Sequence, residues 1–273
     1  MEPAAVREAY ARVKERLDQL AAAVDSERLR EIADEVLMVA RLLAREPRLR
    51  RALADIGRPT LARTDLLRNL LAGKVGNETL ALLTDLVSGR WAVPSELLNA
   101  TERLGVDLLL AASERDGELA DVEDELFRFG QIVEGNEQLA LALGDPIVPV
   151  ERRTELVRSL LEGKAKPTTV RLAELALTGF GGRSLLSSLT RLVELAAARR
   201  DASVAYVVTA VAPTEAEERT LADKLSQMYG RQVSLKVEVK PEVIGGMRVR
   251  IGSDLYDGTV QRRLADARAG LAR

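Results

Sequence analysis

Apolar residues open the chain at alternating spacings of three and four: Val6, Tyr10, Val13, Leu17, Leu20 and Val24. That spacing lines one stripe of an amphipathic helix. Asp25-Ser26 offers an N-cap, and Leu29, Ile32, Val36, Val39 and Leu43 then repeat the pattern. Pro47 starts a short third helix ending near Asp55. A fourth runs from Pro59-Thr60 to Gly73, which is placed as a C′ glycine. Asn77 is positioned to cap a fifth, which stops at Gly89. Pro94-Ser95 opens a sixth, with Leu97, Leu98, Thr101, Leu104, Leu108 and Ala112 facing inward. Leu119, Val122, Leu126, Phe129 and Val133 keep the spacing, so 95–133 reads as one long helix or two abutting ones. Gly105 and Gly117 weaken that helix without forbidding it.

The pattern then repeats. With the chain shifted by 90 residues, 34–89 lies on 124–179 without a gap, and 18 of the 56 aligned positions are identical. Composition alone gives roughly 5. The matches include Asp34-Glu35 on Asp124-Glu125, Pro59 on Pro149, Arg63-Thr64 on Arg153-Thr154, Gly73-Lys74 on Gly163-Lys164 and Gly89 on Gly179. Prolines and glycines fix helix ends, so shared punctuation predicts a duplicated helical unit.

The texture changes after Asp201. Residues 203–212 form a β-branched, apolar run that reads as a buried strand. Thr214 with Glu217 makes a capping box for a helix ending at Gly230. Val233, Leu235, Val237 and Val239 alternate with polar residues, as do Met247, Val249 and Ile251, and each set reads as a strand. Ser253-Asp254 can turn the chain into a short strand at Leu255-Tyr256. Either Asp257 or Thr259 can cap a last helix carrying Val260, Leu264, Ala267 and Leu271. The fold expected is mostly α: a helical bundle with a duplicated helical unit, then a small C-terminal α+β domain. The parts are 1–117, 118–201 and 202–273.

Composition narrows the function. Aromatic residues make up 3% of the chain, so the core must be built from Leu, Ala, Val and Ile. Cysteine and histidine are absent, which removes disulfides, zinc sites of the usual kind and thiol or Ser-His nucleophiles. A net charge of −2 gives no basic excess for nucleic acid. No apolar stretch is long enough to span a membrane, and Met1-Glu2-Pro3 lacks a signal-peptide pattern, so the chain is expected in the cytoplasm.

The chemical-looking motifs have plainer readings. Gly73-Lys74 and Gly163-Lys164 lack the rest of a phosphate loop and fit helix C-caps. Gly179-Phe180-Gly181-Gly182 follows a helix rather than a strand and reads as a helix–helix loop. The acidic runs Asp121, Glu123, Asp124, Glu125 and Glu215, Glu217, Glu218 fit first turns and solvated helix faces better than a metal site. Trp91 either anchors a partner or plugs a gap between helices. No catalytic, cofactor-binding or metal-ligating residue is expected.

One constellation is more specific. Pro241, Ile244-Gly245-Gly246, Gly252, Asp257, Thr259 and Val260 make a strand–turn–strand–helix with tight turns. This pattern resembles the C-terminal signature of the delta subunit of F-type ATP synthases, the oligomycin sensitivity-conferring protein of mitochondria. Thr259 stands where that family often has serine. The likeness extends upstream through the strand and helix elements from 203, more loosely through 120–200, and weakly to Glu8-Ala9-Tyr10-Ala11-Arg12. This chain is about 90 residues longer than a typical member, which matches the repeat offset. The resemblance implies a non-catalytic stator component without a cofactor. Its helical part would grip N-terminal helices of the alpha subunits, and its C-terminal region would meet the end of the b subunit stalk. It would lie peripherally on the cytoplasmic face of the bacterial plasma membrane, with no span of its own. A generic helical-repeat adaptor would share the repeat but has no need of the signature.

Overall fold

The computed structural model describes residues 4–262 other than 146, 201, 231, 244, 252, 253 and 261. The first five helices are α1 (Ala4–Ala23), α2 (Ser26–Arg45), α3 (Pro47–Ala54), α4 (Thr60–Leu71) and α5 (Asn77–Ser88). Asp25 caps α2 as expected, accepting from the Arg28 N–H at 2.8 Å. Asn77 does not cap α5. It is the first helical residue, behind a Gly76 that has no side chain to offer. Glu35 of α2 serves instead. Its carboxylate accepts from the Gly76 N–H at 3.0 Å and from the Thr79 hydroxyl. A carboxylate there satisfies an orphan donor and faces the positive end of the helix dipole.

Residues 95–133 form two helices, α6 (Pro94–Arg115) and α7 (Leu119–Glu134). Gly117, at φ +73°, ends α6, and the Glu118 N–H closes on the Ser113 carbonyl at 2.8 Å, a Schellman stop. Then follow α8 (Glu137–Gly144), α9 (Val150–Leu161) and α10 (Pro167–Leu177). α8 and α9 copy the bounds of α3 and α4 at a shift of 90, and α10 copies α5 to within one residue. The internal bonds are copied too. Glu125 accepts from the Lys166 N–H at 2.9 Å and from the Thr169 hydroxyl, as Glu35 does for α5. Arg63 donates to the Leu53 carbonyl at 3.4 Å, and Arg153 to the Leu143 carbonyl at 3.1 Å. α6 answers α1 at a shift of 91, with buried Leu104 and Leu108 in the places of buried Val13 and Leu17.

The two sets differ in how their first helix is covered. The inward stripe expected for α6 is present, but from Leu104 to Ser113 every residue is buried. α6 is a spine packed on several sides. Gly105 permits the closest approach: a Cβ there would stand 2.5 Å from Leu37 Cδ2 of α2. Asp107, buried, accepts from the Tyr10 hydroxyl of α1 at 2.8 Å and from Arg103 Nε at 2.9 Å. A single 3-10 turn at Phe180–Gly182 and α11 (Leu185–Arg199) follow. The chain divides into two compact units, 1–192 and 193–273, so both helical sets belong to one body.

The C-terminal unit contains β1 (Ala202–Thr209), α12 (Glu215–Tyr229), β2 (Gln232–Val239), β3 (Met247–Ile251) and β4 (Asp254–Asp257). The sheet order is β2-β1-β3-β4, with β1–β2 parallel and the other pairs antiparallel. A parallel neighbour requires a crossover, which α12 supplies. Thr214 and Glu217 form the expected capping box, and the Thr214 N–H holds the Glu217 carboxyl below its usual range. The core gathers Ala205, Val207, Leu225, Val233, Val249 and Ile251. The central strand β1 has a partner on each side, which explains its continuous apolar run. Val260 and Arg262 begin the last helix. Leu264, Ala267 and Leu271 lie outside the described residues.

Candidate docking surfaces

The C-terminal signature is a backbone clasp. Gly245 and Gly246 take φ of +62° and +78°. The Val260 N–H donates to the Gly245 carbonyl at 3.1 Å, and the Gly258 N–H to the Met247 carbonyl at 3.0 Å. A Cβ on Gly246 would lie 2.4 Å from the Gly258 carbonyl oxygen, so only glycine fits. Asp257 accepts from the Thr259 hydroxyl at 2.6 Å and from its N–H at 3.1 Å. The Thr259 hydroxyl in turn accepts from the Arg262 N–H at 3.3 Å. Both caps anticipated from the sequence therefore act in series. The Thr259 hydroxyl and N–H, helped by Arg248, hold the Asp257 carboxyl below its usual range. The structure brings together Gly245, Gly246, Asp257, Thr259 and Val260. Pro241 lies in the turn after β2, and Ile244 and Gly252 are outside the described residues.

The other motifs fall on structural tasks. Gly73 and Gly163 follow the C-caps of α4 and α9 at φ of +69° and +72°. Phe180 plugs into the helical core, and the Gly181 N–H donates to Glu102 of α6 at 2.8 Å. Burial pushes the Glu102 carboxyl above its usual range, with Gly181 and Arg183 opposing. Glu215, Glu217 and Glu218 occupy the first turn of α12. Glu123 departs from the expected solvated face and is fully buried. Among the described residues, no group of acids is placed to hold a metal ion. Trp91 plugs a gap: it is 1% exposed, and its indole N–H donates to the Leu86 carbonyl at 3.1 Å.

Open surface of a shape that suits a helix lies between α1 and α5. Two adjoining hollows of about 300 and 420 Å³ run along these helices. Their walls include Gln19, Leu20, Leu80, Ala81 and Leu82, with the Arg16–Asp85 ion pair crossing from one helix to the other. In the second set the matching positions on α6 are Asp107, Leu110 and Ala111, against Arg16, Gln19 and Leu20 on α1. Those three are 5%, 0% and 2% exposed. The first set covers them through Tyr10 on Asp107, Leu37 against Gly105, and an Asp34–Arg171 ion pair at 2.9 Å. One groove is thus open, and its counterpart is filled by the protein itself.

Comparison with known proteins decides the family. The model of the family described as ATP synthase delta (OSCP) subunit matches residues 108–271. The chain belongs to the ATP synthase delta (OSCP) subunit family. The matched segment begins inside α6, so helices α1 to α5 precede it. A protein of Salinispora arenicola named ATP synthase subunit delta is 56% identical over all of both chains. One of Streptomyces avermitilis with the same name is 42% identical over 98% of each. The longer form is therefore shared by these members of the family. Among solved structures, a chain of the Toxoplasma gondii mitochondrial ATP synthase hexamer matches at 19% identity and TM-score 0.38, over 62% of this chain and 95% of that one. That likeness is too loose to bear on the fold. No described helix is long and apolar enough to cross a membrane. Family membership leaves the generic adaptor reading without support.

Proposed function

We propose that this chain is a non-catalytic stator component of an F-type ATP synthase. It links the b subunit of the peripheral stalk to the alpha/beta head on the cytoplasmic face of the plasma membrane. An N-terminal helix of an alpha subunit lies in the α1–α5 groove, and the C-terminal unit meets the end of b. The parts 1–117, 118–201 and 202–273 divide this work. The supporting observation is the contrast between the two grooves: α1 is exposed at Arg16 and Gln19, whereas the same positions on α6 are buried. A helix laid in an apolar groove gives affinity without bond chemistry. Attachment at two places on one chain multiplies weak contacts.

The test is purification of the tagged chain from its own membranes, with and without Leu20→Arg/Ala81→Glu. Both side chains are half-buried groove walls, so a new charge there meets any docked helix. The double variant should keep the b subunit and lose the head. Retention of the head would contradict docking in this groove. Absence of b from the unsubstituted preparation would contradict the stator role.

A further inference from the structure

A second open surface lies at the corner of α3 and α4. A cleft of about 520 Å³ is floored by Ala52, Ala54 and the edge of Trp91. Arg48, Arg51 and Arg58 line it. Arg48 and Arg51, one helical turn apart, are exposed, while Arg58 pairs with Asp55 at 3.5 Å. Ile56, also lining it, is 59% exposed. Ordinary solvation of helix surfaces would leave similar charges on both copies. At the 90-shifted positions the second copy has Gln138, Leu141 and Val148, while Asp55 is kept as Asp145. Its corner is apolar, with Leu141 and Ile147 at 66% and 88% exposed. The arginines are thus particular to the first copy.

We infer that the α3–α4 corner of the first copy docks an acidic amphipathic helix of a partner protein. Carboxylates one turn apart on that helix meet Arg48 and Arg51, and an apolar side chain sits against Ile56 over the Trp91 floor. Arginine pairs with carboxylates through a planar, two-pronged donor set and suits interface positions. A small anion would use the charges but not the apolar floor. The inference deepens the stator reading and rests on it for where the helix comes from; the cleft alone sets the helix's chemistry.

The test places a photo-crosslinking phenylalanine analogue at position 56 of the full chain, produced in its own cells. Mass spectrometry identifies the crosslinked peptide, and each preparation is scored for co-purifying ATP synthase chains. The expected result is one principal adduct to a segment with two carboxylates a helical turn apart. Its yield should fall roughly tenfold in Arg48→Glu/Arg51→Glu and be largely kept in Arg48→Lys/Arg51→Lys. Raising salt from about 0.05 to about 0.5 M should lower it in the parent chain. An adduct to lipid, nucleic acid or a neutral or basic segment overturns the inference. So does the absence of an adduct, or a yield indifferent to charge reversal and to salt. If ATP synthase chains co-purify but the adduct fails these criteria, this inference alone falls. If they do not co-purify with the parent chain, the stator reading falls instead.

Discussion

The two five-helix sets share their order, their glutamate caps and their arginine staples, yet they face different surroundings. In the first, the outer face of α1 carries exposed Arg16 and Gln19 beside an open groove. In the second, α6 offers Leu110 and Ala111 at the same places, and α1 and α2 lie over it. Burying a leucine fully stabilises by about 1.5–3 kcal/mol, so a few such exchanges turn a docking face into a core face. Duplication has thus made one set the cover of the other, leaving a single groove free.

Breaking the staples should expose the asymmetry most strongly. Arg63 is 3% exposed and donates to the Val87, Gly89 and Leu53 carbonyls at 2.7, 3.0 and 3.4 Å. Arg153 is half-buried and serves Val148 and Leu143. Arg63→Met should cost about 3 kcal/mol through stranded carbonyls, and Arg153→Met only about 1 kcal/mol because water can replace it. Urea midpoints followed by Trp91 emission check this, since the sole tryptophan reports the helical unit. Equal losses would mean that the two staples are equivalent.

Glycine to alanine sharpens the contrast with opposite signs. Gly105→Ala forces Leu37 aside in the α2–α6 contact and should destabilise by about 1–3 kcal/mol. Gly130→Ala on α7 meets only Leu189 Cδ1 at 3.9 Å and should stabilise by about 0.5–1 kcal/mol.

The smallest effect is a difference in pH response. Glu102 titrates above its unfolded value, because burial disfavours its charge. The folded state therefore takes up its proton first, and the helical unit gains stability as pH falls through the raised value. Asp257 titrates below its unfolded value, so its contribution is present above the ordinary aspartate range, near 4, and is lost as pH falls. Trp91 emission for the helical unit and tyrosine signals for the other should show opposite trends. Glu102→Gln should flatten the first, and Thr259→Val the second.

Much of this was legible in the chain. Helix starts at Asp25, Pro47, Pro94 and Thr214 follow from local chemistry, and the repeat follows from shared prolines and glycines. Three things were not legible. Glu35 capping α5 is a contact between distant residues, which local spacing cannot show, although its match to Glu125 was visible. The full burial of α6 had a signal in the unbroken run Val106 to Ala112, where Asp107 is the one polar residue. Reading a single inward stripe passed over it. The arginine corner appears only when the aligned copies are compared for what differs, since identities mark the scaffold and differences mark the surfaces. The signature residues were found by resemblance, and their clasp geometry rests on positive φ and a carbonyl approach that sequence does not state.

The most direct test of the open and the filled groove is amide hydrogen exchange on the chain free and within the purified ATP synthase. The account predicts new protection along α1 and α5 on assembly. The segment 104–113 of α6, already covered, should exchange equally slowly in both states. New protection confined to α10, or exchange in α6 that is fast in the free chain and slow in the complex, would contradict it.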